Sequence, residues 1–168
     1  LSNQDLIRRS RVFPYQLLST YLHFDAGSTL GAIRDALHDA MEVSIENVPE
    51  FGDTGIEIGI DVSGSMADPI TGRYASVVSK VRCVDVAALI ASVIKRRGRN
   101  VGTYKFDTRC TELQIDGRDT IMTNVKKIAA VGGGTACSSF LKKLNDESKK
   151  SDIVFIISDN MSWAEFHT

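Results

Sequence analysis

The sequence predicts an α/β fold in which a mostly parallel sheet is doubly wound, with helices on both faces. After residue 54, short β-branched segments alternate with amphipathic helical segments. Two of these strands lead directly into polar loops that contain aspartate. The 168 residues are 43% hydrophobic and 24% charged, which suits one medium-sized domain with a substantial core.

A short α-helical segment is predicted before the sheet, over residues 1–50. A capping box of Ser2 and Asp5 would start it, and the fixed φ of Pro14 suits the first turn of a helix. A second helix is indicated by apolar residues at helical spacing, namely Leu30, Ile33, Leu37 and Met41. We therefore expect two amphipathic helices, followed by an α/β domain at 54–168.

The first strand is predicted from the β-branched residues Ile56, Ile58 and Ile60. A helix over 74–97 should follow, and Lys95-Arg96-Arg97-Gly98 is typical of its C-terminus. Its broad apolar face predicts deep burial and includes Val77, Val81, Val84, Ala88, Leu89, Ile90, Ala91, Val93 and Ile94.

The remaining elements continue the alternation. We expect strands over 100–106, 112–115 and 153–157, and helices over 119–130 and about 138–145. The loops after Ile60 and Ile157 then fall at the C-terminal edge of the sheet, where ligand sites form in open α/β folds. The glycine loop Gly132-Gly133-Gly134-Thr135 precedes a helix on the same side.

This edge carries a candidate metal site. Asp61, Ser63 and Ser65 alternate directly after a strand, and Gly64 permits a tight turn. With oxygen donors from the other two loops, the set of metal ligands becomes Asp61, Ser63, Ser65, Thr135 and Asp159. Oxygen ligands suit a hard divalent cation, most simply Mg²⁺, which retains waters and accepts an outside carboxylate or phosphate. The simpler alternative is that Asp61 and Ser63 only cap a turn or a helix.

Composition and cysteine content exclude several classes of protein. A net charge of -1 gives no general attraction to nucleic acid. The sequence shows neither a membrane span nor a signal peptide, so a soluble cytoplasmic protein is expected. Three widely spaced cysteines indicate neither a disulfide framework nor a zinc site, and Cys83, Cys110 and Cys137 are expected to be reduced and structural.

An enzyme is the competing interpretation, because a magnesium site at a sheet edge can serve phosphoryl transfer. The glycine loop lacks the Lys-Ser/Thr pair of a phosphate-binding loop. Asp61-Val62-Ser63 also lacks the second aspartate that is expected two residues after an aspartyl nucleophile. We therefore expect a binding protein with no catalytic residues.

The five candidate ligands resemble the metal-ion-dependent adhesion site (MIDAS) of von Willebrand factor A-type domains. Asp61, Ser63 and Ser65 match its first motif, and Thr135 and Asp159 match the glycine-loop and post-strand positions. The resemblance implies a Rossmann-like fold in which hydroxyls bind metal directly and aspartates bind directly or through water. It also implies that a protein carboxylate can complete the metal shell.

A narrower resemblance is to the Ro/TROVE proteins. It covers nearly the whole chain and is carried by Asn47-Val48-Pro49, Asp61-Val62-Ser63-Gly64-Ser65-Met66, Gly133-Gly134-Thr135-Ala136-Cys137-Ser138 and Ser158-Asp159-Asn160. Those proteins join a ring of helical repeats to an A-type domain and bind small noncoding Y RNAs and misfolded RNA ends. Residues 1–50 resemble the end of the TROVE repeats. In that family, further repeats upstream and two more strands after Asp159 would be expected, so the A-type domain is expected to be C-terminally incomplete.

The resemblance implies RNA as a partner, and it makes Arg8, Arg9 and Arg11 candidate phosphate contacts because they lie in the repeat-like segment. For other basic clusters, such as Lys95-Arg96-Arg97, stabilisation of a helix C-terminus is the simpler explanation. Trp163 is expected to pack locally rather than to stack on a base. The alternative function is a protein-adhesion module with no RNA role.

Overall fold

A computed structural model describes residues 3–23, 31–71, 79–128 and 130–160. Three helices come first: α1 (Gln4–Ser10), α2 (Pro14–His23) and α3 (Gly31–Ser44). The remaining elements are β1 (Gly52–Asp61), α4 (Cys83–Arg97), β2 (Gly98–Phe106), β3 (Cys110–Glu112), α5 (Ile121–Ile128), α6 (Cys137–Asp146) and β4 (Ile153–Ile157). Short 3-10 turns lie at Ile45–Asn47 and Gly64–Ala67. No described helix has the length and apolar character needed to cross a membrane.

The sheet has the strand order β3-β2-β1-β4. The central strand β1 is parallel to both β2 and β4, whereas the short β3 is antiparallel to β2. Helices α4 and α5 pack on one face with Ile58, and α6 packs on the other with Phe106. This confirms the predicted doubly wound, mostly parallel α/β fold.

Helix α6 comes unusually close to the central strand. A Cβ atom on Gly59 would lie 2.3 Å from Cδ1 of Phe140, which is far inside van der Waals contact. The Phe140 ring also lies parallel to that of Phe106, with 6.2 Å between the ring centroids. Glycine at position 59 therefore allows α6 to pack directly on the sheet.

The N-terminal helices share a core with the α/β domain. Leu18 of α2 and Met41 of α3 are fully buried in the same apolar cluster as Ile58. Glu42 of α3 accepts a hydrogen bond of 2.8 Å from the backbone N–H of Ile121 and forms an ion pair with Arg96 of α4. Helices α2 and α3 therefore pack directly against the α/β domain.

Three predictions about the N-terminal helices need correction. The chain turns at Arg11, whose φ is 52°, so three helices form where two were predicted. Asn3 caps α1, because its side chain accepts a hydrogen bond of 3.1 Å from the N–H of Leu6. The other half of the predicted cap, Ser2, lies outside the described residues, as does Leu30. Ile33, predicted to be apolar and inward-facing, is 38% exposed.

The helix predicted over 74–97 begins only at Cys83. Arg82 forms an isolated β-bridge with Pro69, and its backbone N–H donates to the Asp85 carboxylate at 2.9 Å, which starts the helix after Arg82. The side chain of Val81 is buried, but Val81 lies in an extended segment before the helix. Its spacing from the apolar residues of α4 happens to fit a helix, which explains the prediction. Residues 74–78 of the prediction lie outside the described ranges.

Candidate metal centre

The ends of β1 and β4 bring Asp61 and Ser158 together. Ile60 and Ile157 are paired in register, so the residues that follow them are neighbours at the C-terminal edge of the sheet. Ser158 Oγ donates a hydrogen bond of 2.7 Å to Asp61 Oδ2, and the backbone N–H of Ser63 donates one of 2.8 Å to Asp61 Oδ1. Both carboxylate oxygens are thereby fixed in place.

The Asp61 carboxylate is fully buried, yet no cationic side chain in the described ranges pairs with it. Burying an isolated charge is costly, and buried carboxylates in proteins are normally paired or bound to a metal. The two hydrogen bonds offset part of this cost. The remaining negative charge makes the position favourable for a cation.

The hydroxyls of Ser63 and Ser65 lie next to each other, with 3.2 Å between their oxygens. The backbone N–H of Gly64 donates to the carbonyl of Gly133 at 3.1 Å, and the N–H of Gly132 donates to the carbonyl of Val62 at 2.8 Å. These two hydrogen bonds join the loop after β1 to the glycine loop. Two of the three predicted loops are therefore in direct contact.

Thr135 follows the glycine triplet and is fully buried. Its Oγ1 has no hydrogen-bond partner in the part of the chain that the structure describes. A buried hydroxyl without a partner costs about 1–3 kcal/mol, so such a group calls for an explanation. A metal ion bound by the hydroxyl oxygen would provide one.

Asp159 is the residue after Ser158 and is partly buried at the same edge. Burial raises the pKa of the Cys83 thiol, and the negative charges of Asp159 and Asp68 raise it further. The thiol at the start of α4 is thus within the electrostatic influence of Asp159. Ser158 connects this residue to Asp61, so Asp159 borders the site through its chain neighbour.

The donor set fits a hard cation. It offers two carboxylates and three hydroxyls, and it has no histidine or thiolate that would favour a softer metal. Within the described ranges, no group of three or more His, Cys, Asp or Glu side chains could hold a metal. A metal here would therefore depend on hydroxyl oxygens, and its low count of negative ligands would leave it attractive to an anionic partner.

Two residues at this edge were missed by the sequence analysis as parts of the site. Ser158 holds Asp61, and Asp107 follows β2 beside the glycine loop. A Cβ atom on Gly133, whose φ is +79°, would lie 3.0 Å from Asp107 Oδ2. Both residues directly follow strands, so the rule that located Asp61 and Asp159 would also have located them.

The cysteines are all free thiols, as predicted, with Cys83, Cys110 and Cys137 each partly buried. Burial raises the pKa of the Cys110 thiol to about 11, so it is protonated near neutral pH. A thiol in this state is a weak nucleophile. The positive charge of Lys143 acts in the opposite direction, but burial outweighs it.

The candidate phosphate contacts lie on α1 and directly after its last residue, and α1 packs against α3. Arg8 donates two hydrogen bonds, of 2.7 and 3.2 Å, to the Glu46 carboxylate. Arg9 and Arg11 are exposed, and neither forms an ion pair with a described residue. Arg8 thus has a structural partner already, whereas Arg9 and Arg11 are open to solvent. Trp163 lies outside the described residues.

Comparison with known proteins adds independent information. Residues 56–168 match the family model of the Ro60 vWA domain. The structure is similar to the crystal structure of Deinococcus radiodurans RO (RSR) protein, with a TM-score of 0.77 and 24% sequence identity. That match covers 98% of this chain and 34% of the other, so the chain spans about a third of that protein's length. No curated protein sequence matches this chain significantly.

Proposed function

Because this chain belongs to the Ro60 von Willebrand A domain family over residues 56–168, we propose that it is a metal-dependent binding module of a Ro-like ribonucleoprotein. Asp61, Ser63, Ser65, Thr135 and Asp159 form its adhesion site for Mg²⁺ or another divalent cation. The proposal is carried by the buried Thr135 hydroxyl, which lacks a partner among the described residues. The module is a cytoplasmic, non-enzymatic protein.

Each ligand has a role that follows from its position. The hydroxyls of Ser63, Ser65 and Thr135 would contact the ion, while Asp61 and Asp159 supply negative charge directly or through water. When bound, the ion supplies an electrophilic position for one outside oxygen. Ser158 keeps Asp61 oriented through its 2.7 Å hydrogen bond.

In the whole ribonucleoprotein we propose small noncoding RNA, such as Y RNA, or misfolded RNA as the partner. This chain would contribute Arg9 of α1 and Arg11 directly after that helix, both of which are exposed. The alternative is a protein-adhesion module in which a protein carboxylate completes the metal shell. The small net charge of -1 supports that alternative, because the chain has no general attraction to polyanions.

Calorimetric titration with Mg²⁺ tests the metal site. We expect binding by the wild-type chain and strongly reduced binding by Ser63→Ala, Asp159→Ala and Thr135→Val. Thr103→Val is the matched control, because Thr103 is also buried but its hydroxyl already donates to the Leu113 carbonyl at 2.6 Å. Equal Mg²⁺ binding by the wild type and all three site variants would refute the metal assignment.

The RNA proposal is tested by binding of structured RNA at several salt concentrations. Phosphate contacts release counterions, so the affinity should fall steeply as salt rises. Replacing Arg9 and Arg11 by Gln should reduce that slope by about two, roughly one for each lost contact. Affinity that is absent or independent of salt would favour protein adhesion.

A further inference from the structure

A cavity of about 320 Å³ opens beside the candidate metal site. Its wall includes Val62, which lies between Asp61 and Ser63 in the chain, and Gly132, whose N–H donates to the Val62 carbonyl. The cavity therefore shares both of its loops with the site. The cavity is thus next to the loops that carry the proposed metal ligands.

Two cationic side chains line the cavity, Lys105 and Arg109. Lys105 lies on β2 opposite Ile60, and Arg109 lies in the loop that follows β2. Neither side chain forms an ion pair with any residue in the described ranges. This distinguishes them from Lys143, Lys127 and Arg8, which are all paired.

The other residues that line the cavity restrict the kind of ligand that it can bind. Val62 and Ala130 provide apolar surface, and Asp107 places one carboxylate in the wall. Asp107 is held there, because its Oδ1 accepts a hydrogen bond of 2.8 Å from the N–H of Arg109. The cavity thus has one excess positive charge and an apolar side, which suits a single acidic side chain.

We propose that this cavity is a second anchor, which binds one acidic side chain of a protein segment whose neighbouring carboxylate reaches the metal site. The proposal rests on the metal-dependent function above and specifies its partner as an acidic peptide with at least two carboxylates. A single-stranded RNA fits less well, because sequence-tolerant RNA sites normally stack the bases on aromatic side chains. The described residues of this cavity offer no aromatic ring for base stacking.

Fluorescence anisotropy with the full chain tests the second anchor, using labelled hexaglutamate in Mg²⁺ and in EDTA. We expect the double substitution Lys105→Gln/Arg109→Gln to weaken hexaglutamate binding in Mg²⁺ at least tenfold. Calorimetric Mg²⁺ affinity should stay within twofold of wild type, because neither residue is a metal ligand. Labelled hexauridylate serves as the RNA probe.

The matched control is Arg99→Gln/Lys150→Gln, which removes the same two charge types at the opposite edge of the sheet. Arg99 is near the start of β2, and Lys150 precedes β4. This control should bind hexaglutamate as the wild type does. An equal loss in both double variants would reveal a general charge effect and overturn the proposal.

The outcomes separate the two proposals. If Mg²⁺ binds but Lys105→Gln/Arg109→Gln binds hexaglutamate like wild type, the second anchor is refuted and the metal site stands. If the wild type binds no Mg²⁺ while the same variant still loses hexaglutamate, the metal site fails and the cavity is supported. Tighter binding of hexauridylate than of hexaglutamate through Lys105 and Arg109 would overturn the choice of an acidic peptide.

Discussion

At the scale of single residues, the site is built from groups that weaken the unliganded fold. Thr135 Oγ1 is buried without a partner among the described residues, and Asp61 is a fully buried carboxylate with no cation beside it there. Both features cost free energy in the absence of a metal. Such local costs are expected where residues are selected for binding.

Thr135→Val should therefore stabilise the chain in EDTA. Valine has the shape of threonine but no hydroxyl to desolvate, so we expect the free energy of unfolding to rise by about 1 kcal/mol. With saturating Mg²⁺ the order should reverse, because only the wild type gains binding energy. Thermal unfolding with and without Mg²⁺ measures both. A Thr135→Val chain that is less stable than wild type in EDTA would show that the hydroxyl has a protein partner.

Glu57 is a second buried carboxyl, on the face of the sheet that α6 covers. Its Oε2 has no hydrogen-bond partner among the described residues, and a Cβ atom on Gly102 would lie only 1.8 Å from it. Burial raises the pKa of Glu57, although Lys149 and Tyr104 act in the opposite direction. The folded state therefore favours the protonated form more than the unfolded chain does.

We expect Glu57→Gln to stabilise the chain most at neutral pH. Because the folded pKa is raised, the wild-type carboxyl contributes fully below its unfolded value of about 4.3, and this contribution is lost as the pH rises through the folded pKa. The uncharged glutamine has no such loss. Urea unfolding at pH 4 and pH 7 should show a gain that grows with pH. A gain of equal size at both values would contradict the account.

At the scale of elements, Glu42 is the main polar connection between α3 and the α/β domain. One carboxylate oxygen accepts from the N–H of Ile121 at the start of α5, and the other pairs with Arg96 of α4. Arg96 also donates to the carbonyl of Gly117 at 2.9 Å. One side chain thus fixes three helices relative to each other.

Glu42→Ala should lower the free energy of unfolding by about 2–4 kcal/mol, because it leaves Arg96 without its charge partner and Ile121 without its acceptor. Glu50→Ala is the control, since Glu50 is 76% exposed and lies 3.4 Å from Arg97. An exposed pair of this kind should contribute less than about 1 kcal/mol. Chemical denaturation compares the two variants, and equal losses would refute the connecting role of Glu42.

The elements also show what sequence patterns can and cannot predict. The strand over 153–157 was predicted at its observed limits. A run of five apolar residues with high β-propensity between polar residues is typical of a strand. The predicted start of α4 was nine residues too early. Val81 is buried although it lies in an extended segment, and its sequence spacing also fits a helix. Burial alone does not reveal which backbone conformation produces it.

At the scale of the whole molecule, the alternation of strands and helices was sufficient to predict both the fold and the edge that carries the site. It was not sufficient to show that α2 and α3 share the core of the sheet. The burial of Met41 in the same apolar cluster as Ile58 depends on the path of the chain. The positions of Ser158 and Asp107 directly after strands could have been recognised in the sequence, but their contacts could not. Their contacts arise from strand register and loop packing, which one sequence does not display.

We propose that three hydroxyls and two carboxylates at the C-terminal edge of the sheet hold one divalent cation. A crystal structure with Mg²⁺, repeated with Mn²⁺ to identify the ion by anomalous scattering, tests it most directly. We expect a density peak about 2.0–2.1 Å from the hydroxyl oxygens of Ser63, Ser65 and Thr135 in the Mg²⁺ crystals. With Mn²⁺ we expect an anomalous peak at the same place. An intact fold with no peak there at saturating metal, and with Thr135 Oγ1 bonded to protein instead, would contradict it.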